Sequence, residues 1–340
     1  MSERREWSDI EDIMVELTLD GVHHLSWSPQ AAPLPVTIYA ASGPDDFNSQ
    51  PPAAEAESET RADLPGLPLA VRHYFRLVSQ NSPSLVVAPR LVPLESTFNF
   101  RDLGGYRTSN GQRVKWGRIF RSDALSRLTD ADREYLKRMG LKMVCDLRSR
   151  AETEKAPDLL PEDGSLAYLH LPIQTGEMNF VTAMEKIKKG DASWLTEDYM
   201  VKGYLKNLEE FPQIWGEIFH TLLQKDRLPL VFHCTGGKDR AGTCAALFLS
   251  VLGVPDQTIV YDHQLSNLYI AGLLTNVNKQ LTKYGVDPKR LEPYFTAPLD
   301  GIKALLAHLR HEYGSAENYL VQKARLTRAE LAQLRLDSLD

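Results

Sequence analysis

The chain is poor in cysteine, carries no excess of positive charge and has no long apolar run, and each shortage excludes something. Cysteine occurs three times in 340 residues, as Cys145, Cys234 and Cys244. An odd, sparse set offers no pairwise framework, so a disulfide-stapled scaffold is excluded and a reducing compartment is expected. With 39 Lys and Arg against 45 Asp and Glu the formal net charge is −6, which argues against a general nucleic-acid binder while leaving room for a local basic pocket. No stretch approaches the ~20 apolar residues of a spanning helix, so no integral membrane segment is expected. The opening MSERREWSDIED turns acidic at once and has no apolar signal core, so the expected location is the cytoplasm, with export that needs no signal peptide left open. No Cys/His pairs stand at zinc spacing, so neither a metal nor another cofactor is expected.

What remains is ordinary globular composition, 43% apolar, 25% charged and 9% aromatic, in a chain long enough for two domains. Residues 1–94 read as short strands. Val15, Leu17 and Leu19 alternate with Glu16 and Thr18, and Asp20-Gly21 supplies a turn. Leu25/Trp27, Val36/Ile38/Ala40, YFRLV and LVVA follow. Period-two alternation of this kind predicts a small all-β sandwich resembling a fibronectin type III or immunoglobulin-like module, with its own core and therefore separable. Residues 43–68 are rich in Pro, Ala and acid and are expected to form a mobile loop inside that module. The module is either a binding arm for a protein partner or a brace.

Residues 95–340 read as α/β, with a mostly parallel sheet flanked by helices. GLKMVCDLRS is a strand entered from the helix TDADREYLKRMG, with Thr129 or Asp130 as N-cap. LAYLHLPI is a second strand, and LPLVFHC a third that is apolar on both faces, as a buried parallel strand is. A nearly all-apolar helix, AGTCAALFLSV, follows and closes at Gly253 and Pro255. Between the second and third strands an insert of about residues 174–227 is too long for a simple crossover and is expected to be a helical lid.

The chemistry concentrates in VFHCTGGKDRAGT, residues 231–243. Cys234 stands at the carboxyl end of a buried strand, where open α/β sheets place ligands. Gly236 and Gly237 let the backbone curl so that successive N–H groups converge on an anion, and the following helix adds its positive end. Such donors favour the thiolate, which is the nucleophilic form. Arg240 can grip two phosphate oxygens through its planar fork. Thr235 and Lys238 complete the anion loop, and His233 beside the cysteine orients the loop or tunes the thiolate.

The string His233-Cys234-Thr235-Gly236-Gly237-Lys238-Asp239-Arg240 resembles the signature of cysteine-dependent protein tyrosine phosphatases. In its G-K-D-R form it is similar to the bacterial and fungal tyrosine/serine phosphatase family, as are NFRDLGGY (Asn99–Tyr106), GRIFRSDALSRLT (Gly117–Thr129) and CDLRSRAE (Cys145–Glu152) in the same order. The resemblance covers about residues 95–335. It implies a phosphatase-like fold and hydrolysis of phosphomonoesters, first of all phosphotyrosine, through a phosphocysteine intermediate on a P-loop. Family members with mixed protein and lipid activity extend the implied substrates to phosphoserine, phosphothreonine and phosphoinositides. Asp239, inside the loop, is the first choice for general acid and Asp146, at a strand end, the second. One departure stands out: the position after Arg240, often Ser or Thr, is Ala241, and Thr243 lies two residues on.

Blander readings compete. Cys145 and Cys244 fall in apolar elements and read as core. Asp102 caps a turn, Gly104 and Gly105 are turn residues, and Arg101 pairs with an acid nearby. A pseudophosphatase that only binds phospho-ligands would lack one of Cys234, Arg240 and Asp239, and all are present. A rhodanese-like sulfurtransferase also uses a cysteine in an anion loop, without the G-K-D-R sequence.

Overall fold

Alternating side chains organise the N-terminal quarter into two facing sheets. The computed structural model describes residues 13–340 apart from 49, 81, 175–179, 192 and 197, so the acidic opening lies outside the described residues. Strands β1 (Ile13–Leu17), β2 (His23–Trp27) and β5 (Arg61–Leu64) form one antiparallel sheet. Strands β3 (Val36–Ala41), β4 (Pro52–Ala56), β6 (Tyr74–Ser79) and β7 (Leu85–Val87) form the other, in the order β4-β3-β6-β7. Leu25, Trp27, Val36, Ile38, Phe75 and Leu77, each at most 5% exposed, fill the space between them. The segment 43–68 is not the expected loop, since it supplies β4 and β5. Each is an edge strand, so each buries little more than one apolar side chain, Ala56 or Leu64. Their polar remainder faces solvent and keeps the edges from pairing with other chains.

The second unit is a five-stranded sheet in the order β11-β10-β12-β9-β8. It comprises β8 (Arg101–Asp102), β9 (Ile119–Ser122), β10 (Met143–Asp146), β11 (Ala167–His170) and β12 (Leu230–His233). All neighbours are parallel except β8, which runs antiparallel to β9. The helices are α1 (Asp130–Arg138), α2 (Arg150–Lys155), α3 (Phe180–Lys188), α4 (Tyr199–Glu210), α5 (Pro212–Leu222), α6 (Arg240–Val251), α7 (Asp256–Lys283), α8 (Pro288–Phe295), α9 (Leu299–Tyr313), α10 (Ala316–Gln322) and α11 (Arg328–Ser338). Alternation again sorts the strands: Leu230 and Phe232 enter the large core with α6, whereas Val231 enters the smaller core with Tyr135 and Leu136 of α1. Of the two candidate N-caps Thr129 is the one that caps α1, in a reciprocal capping box with Asp132. Gly253, at φ +81°, follows the end of α6. Among the described residues no helix is long and apolar enough to cross a membrane.

The insert expected to be a lid divides in two. Helices α4 and α5 belong to the core, where Tyr204, Leu208, Trp215, Ile218, Phe219 and Leu222 are all at most 1% exposed. Their apolar stripes are wide enough to be buried, which a mobile lid's would not be. Only α3 and the residues after it pack elsewhere, with Ile187 against Leu281, Val286 and Leu291 in a small separate cluster.

The two units share a charged, buried junction. Arg72 Nη2 donates to Asp102 Oδ2 at 3.0 Å and to the Pro89 carbonyl at 2.9 Å, and neither charged side chain is more than 2% exposed. Asp102 also accepts from the N–H groups of Gly104 and Gly117, both at 2.8 Å. Arg90 donates to the carbonyls of Asp102 and Gly104 and lies 3.8 Å from the Tyr106 ring centre. Asp102 is therefore a turn cap that also docks the N-terminal module. Arg72→Ala would remove the guanidinium bonded to the buried Asp102 carboxylate and leave only the charge of Arg90 near it, so a loss of about 3–5 kcal/mol is expected. Urea unfolding measures it, and a loss below about 1 kcal/mol would show that the junction contributes little. A chain cut at residue 93 loses Arg72 and Arg90 together, so its remainder is expected to be less stable than the parent.

Candidate active site

Residues 234–240 leave the end of β12, loop once and enter α6. Among the described residues, the N–H groups of 235–239 donate to no carbonyl or carboxylate, which is the condition for a nest that binds an anion. Their carbonyls point the other way. Thr235 O accepts from Ala124 N at 3.2 Å, Gly236 O from Asn99 Nδ2 at 3.0 Å, and Gly237 O from Arg121 Nη2 at 2.7 Å. The glycines do different work. Gly237 sits at φ +68°, and a Cβ there would lie 2.6 Å from the backbone of Ser122 and Asp123. Gly236 has no such constraint, since its Cβ would meet only the Lys238 side chain at ordinary distance. Cys234 is 2% exposed at the base of the loop.

Arg240 does not hang free. Its Nη1 and Nη2 donate to the two carboxylate oxygens of Glu152 at 2.7 and 2.8 Å, a fork-to-fork pair. Thr235 Oγ1 donates to the same carboxylate and lies 3.3 Å from Arg240 Nη2. Burial alone would raise the Glu152 pKa, but Arg240 and the Thr235 hydroxyl outweigh it and hold the carboxyl at about 2. Burial pulls the Arg240 pKa down and Glu152 more than reverses it, so the guanidinium stays charged. Glu152 was not singled out from the sequence. A signal existed in Ser149-x-x-Glu152, the capping box that starts α2, but that pattern gives no hint of a partner 88 residues away.

Asp239 precedes α6 without capping it. Its carboxylate accepts instead from Tyr204 OH at 2.8 Å and from Lys238 Nζ at 2.7 Å. Lys238 thus faces Asp239, and its ammonium also lies 5.9 Å from the Tyr294 ring centre. Tyr294 makes edge contacts with Trp194 and Phe295 at 5.1 and 5.3 Å. Burial, then Tyr199 and the negative charge of Asp239, push its phenol pKa up. An aromatic group therefore stands near the charged residues of the loop.

Asp146 is placed differently from Asp239. It is fully buried and receives Arg148 Nε at 2.9 and 3.0 Å, Arg148 Nη2 at 2.6 Å and the Tyr168 hydroxyl at 3.0 Å. Burial raises its pKa, but Arg148 and His233 outweigh that and hold it at about 2. His233 Nε2 lies 2.9 Å from Asp158. Burial would lower the His233 pKa, yet Asp158 and Asp146 give a net shift upward. Asp146, Asp158 and His233 offer atoms within 4.8 Å of one another that could ligate a metal. However, Arg148 already bonds both carboxylates, and a dication would have to displace that guanidinium. Cys145 and Cys244 are fully buried core residues with thiol pKa values pushed up by burial. The Thr243 hydroxyl bonds to no described atom, so it does not stand in for the hydroxyl missing at Ala241. Arg101 meets its acid in Asp262, at 3.2 Å.

Residues 92–340 match the tyrosine phosphatase family. A Cupriavidus necator protein named for tyrosine-protein phosphatase activity is 30% identical over 70% of this chain and 84% of its own length. The tyrosine-protein phosphatase of Nostoc commune is 30% identical over 64% of this chain and 72% of its own. The triple specificity protein phosphatase PtpB of Mycobacterium tuberculosis is 30% identical over 55% and 73%. Among solved structures, TpbA of Pseudomonas aeruginosa is 15% identical over 54% of this chain and 89% of its own, with a TM-score of 0.27.

Glu152→Gln is expected to free the Arg240 fork and weaken inorganic phosphate binding about tenfold, read by calorimetry. The stability difference between parent and variant has a defined pH window. The Glu152 pKa is depressed from 4.5 to about 2 on folding, so the contribution is whole above 4.5 and lost as pH falls toward 2. Urea unfolding of both proteins across that interval checks it, and a pH-independent gap would assign the loss to packing.

Proposed function

The chain belongs to the tyrosine phosphatase family, and from that premise we propose that it hydrolyses phosphomonoesters through a phosphocysteine intermediate on Cys234. The observation that carries the reading is the loop itself: N–H groups without a partner among the described residues, Cys234 at its base and Arg240 squared up by Glu152. In the first step Cys234 Sγ bonds phosphorus as the ester P–O bond breaks, and Asp239 gives its proton to the leaving oxygen. In the second, Asp239 takes a proton from water, the water oxygen bonds phosphorus, and the S–P bond breaks to return thiolate and inorganic phosphate. The loop amides and Arg240 hold the equatorial oxygens throughout, so most of the acceleration is positioning and electrostatics. Thr235, Gly236, Gly237 and Lys238 line the phosphate. Asp146 is left out of the chemistry, because Arg148 occupies both of its oxygens.

Phosphotyrosine is the proposed primary substrate, supported by the aromatic residues Tyr294 and Trp194 near the loop. Lys238 is a second cation beside Arg240, which suits substrates with several phosphates such as phosphoinositides. The relative named a triple specificity phosphatase supports extending the range to phosphoserine and phosphothreonine. The N-terminal sandwich we assign as a brace rather than a binding arm, on the strength of the Arg72–Asp102 junction.

Cys234→Ser is expected to abolish turnover of an aryl phosphate while keeping phosphate binding, because the nest and Arg240 remain. A phosphate-release assay beside a binding isotherm tests this, and activity within about tenfold of the parent would sink the mechanism. Lys238→Met is expected to reduce phosphoinositide hydrolysis at least about threefold more than aryl phosphate hydrolysis. Equal losses on both would mean that the lysine only supports Asp239, and no lipid turnover by the parent would remove the lipid half of the reading.

A further inference from the structure

Tyr204 lies in α4, outside every phosphatase landmark in the sequence, and is 1% exposed. Its ring packs in the large core, where a phenylalanine would serve equally well. Its hydroxyl does not behave as a packing group. It donates to Asp239 Oδ1 at 2.8 Å and lies 2.5 Å from His263 Nε2 of α7. The direction of this chain can be worked out. Gln264 Nε2 lies 3.0 Å from the Ala297 carbonyl, so that end of the amide is the NH2 group. The same nitrogen is 3.1 Å from His263 Nδ1, which must therefore accept. The imidazole proton is then on Nε2, and His263 donates to the Tyr204 oxygen. The single hydroxyl proton of Tyr204 is left for Asp239. The imidazole is neutral, since burial and then Arg121 push its pKa well below the ordinary value. Close packing fixes the parts: a Cβ on Gly301 would come within 2.7 Å of the Tyr204 ring, and one on Gly242 within 3.1 Å of His263.

We propose that Tyr204, oriented by His263, is the positioning residue of the general acid Asp239. It sets the carboxyl's rotamer, and its hydrogen bond strengthens as the carboxyl gives up its proton, so it favours the transition state over the ground state. The inference rests on the phosphatase reading above and adds residues that the loop signature does not contain.

Leaving groups separate this role from a structural one. A substrate with a poor leaving group needs the proton, whereas dinitrophenyl phosphate leaves without it. Tyr204→Phe is expected to lower kcat about tenfold for an alkyl phosphate and less than about twofold for dinitrophenyl phosphate, with KM for both unchanged. In an Asp239→Asn background the same substitution should cost nothing further. His263→Leu is expected to reproduce the pattern, and His263→Gln, which keeps a donor, to restore most of the rate. Losses equal across leaving groups, or additive with Asp239→Asn, would overturn the proposal even with the fold intact by thermal melting. If Cys234→Ser stays active, the phosphatase reading itself has failed. If Cys234→Ser is dead, Asp239→Asn shows the leaving-group dependence and Tyr204→Phe does not, only the present inference falls.

Discussion

A loop that presents its N–H groups to an anion must turn its carbonyls outward, and each of those becomes an acceptor in need of a donor. Much of what surrounds the loop answers that need. Arg121 meets the carbonyls of Gly237 and Lys238, and Asn99 meets that of Gly236. Arg121 must itself be fixed, and Asp262 holds both it and Arg101 while also accepting from the Tyr106 hydroxyl. Arg101 and Arg121 are completely buried and both pair with Asp262. Burial and then Arg101 lower the Arg121 pKa, the mark of a cation held where it is not wholly compensated.

The same strand connects this scaffold to the N-terminal module. Successive side chains on a strand point to opposite faces, and β8 uses its short length for both purposes. Arg101 turns to the Asp262 network, and Asp102 turns to Arg72 of the module. Antiparallel contacts on the edge of β8 reinforce the connection, with Val92 N bonded to Phe100 O and Asp102 N to Arg90 O. Displacing the module would disturb the backbone that carries Asn99 and Arg101, and through them the carbonyls of the loop. A brace is therefore a physical role for the module, whether or not its outer surface binds anything.

What the sequence made legible follows from how local each signal is. Strands β2, β3, β6, β10 and β12 were readable because alternation or an unbroken apolar run lies within a few residues. Strands β4 and β5 were not, because an edge strand that buries one side chain leaves a polar pattern resembling a loop. The loop 234–240 drew notice in the sequence because its cysteine, glycines and arginine are contiguous. Glu152 was hidden because its capping role explains it completely at short range, and Tyr204 and His263 because an aromatic and an imidazole on apolar helices read as core. Helices α4 and α5 were misjudged as a lid for a related reason: length between strands says that an insert exists, not which of its faces is covered.

The sequence left two aspartates as candidates for moving the proton, and environment separates them. Asp146 lies at a strand's carboxyl end, as a catalytic acid does in many α/β enzymes. In the folded chain it is fully buried between Arg148 and His233, with its pKa held at about 2. A carboxylate so heavily compensated is fixed in its ionised form at neutral pH and has no route to exchange a proton with substrate. Its charge has another use: with Asp158 and Arg148 it ties the ends of β10 and β12 to the segment beyond α2, beneath Cys234. Asp239 is held by a neutral hydroxyl and one flexible ammonium, with its side chain 28% exposed. A partly exposed carboxyl can meet both a leaving oxygen and a water. Acid–base work requires a group held in place within reach of substrate and water, and the partly exposed Asp239 meets that requirement better than the buried Asp146.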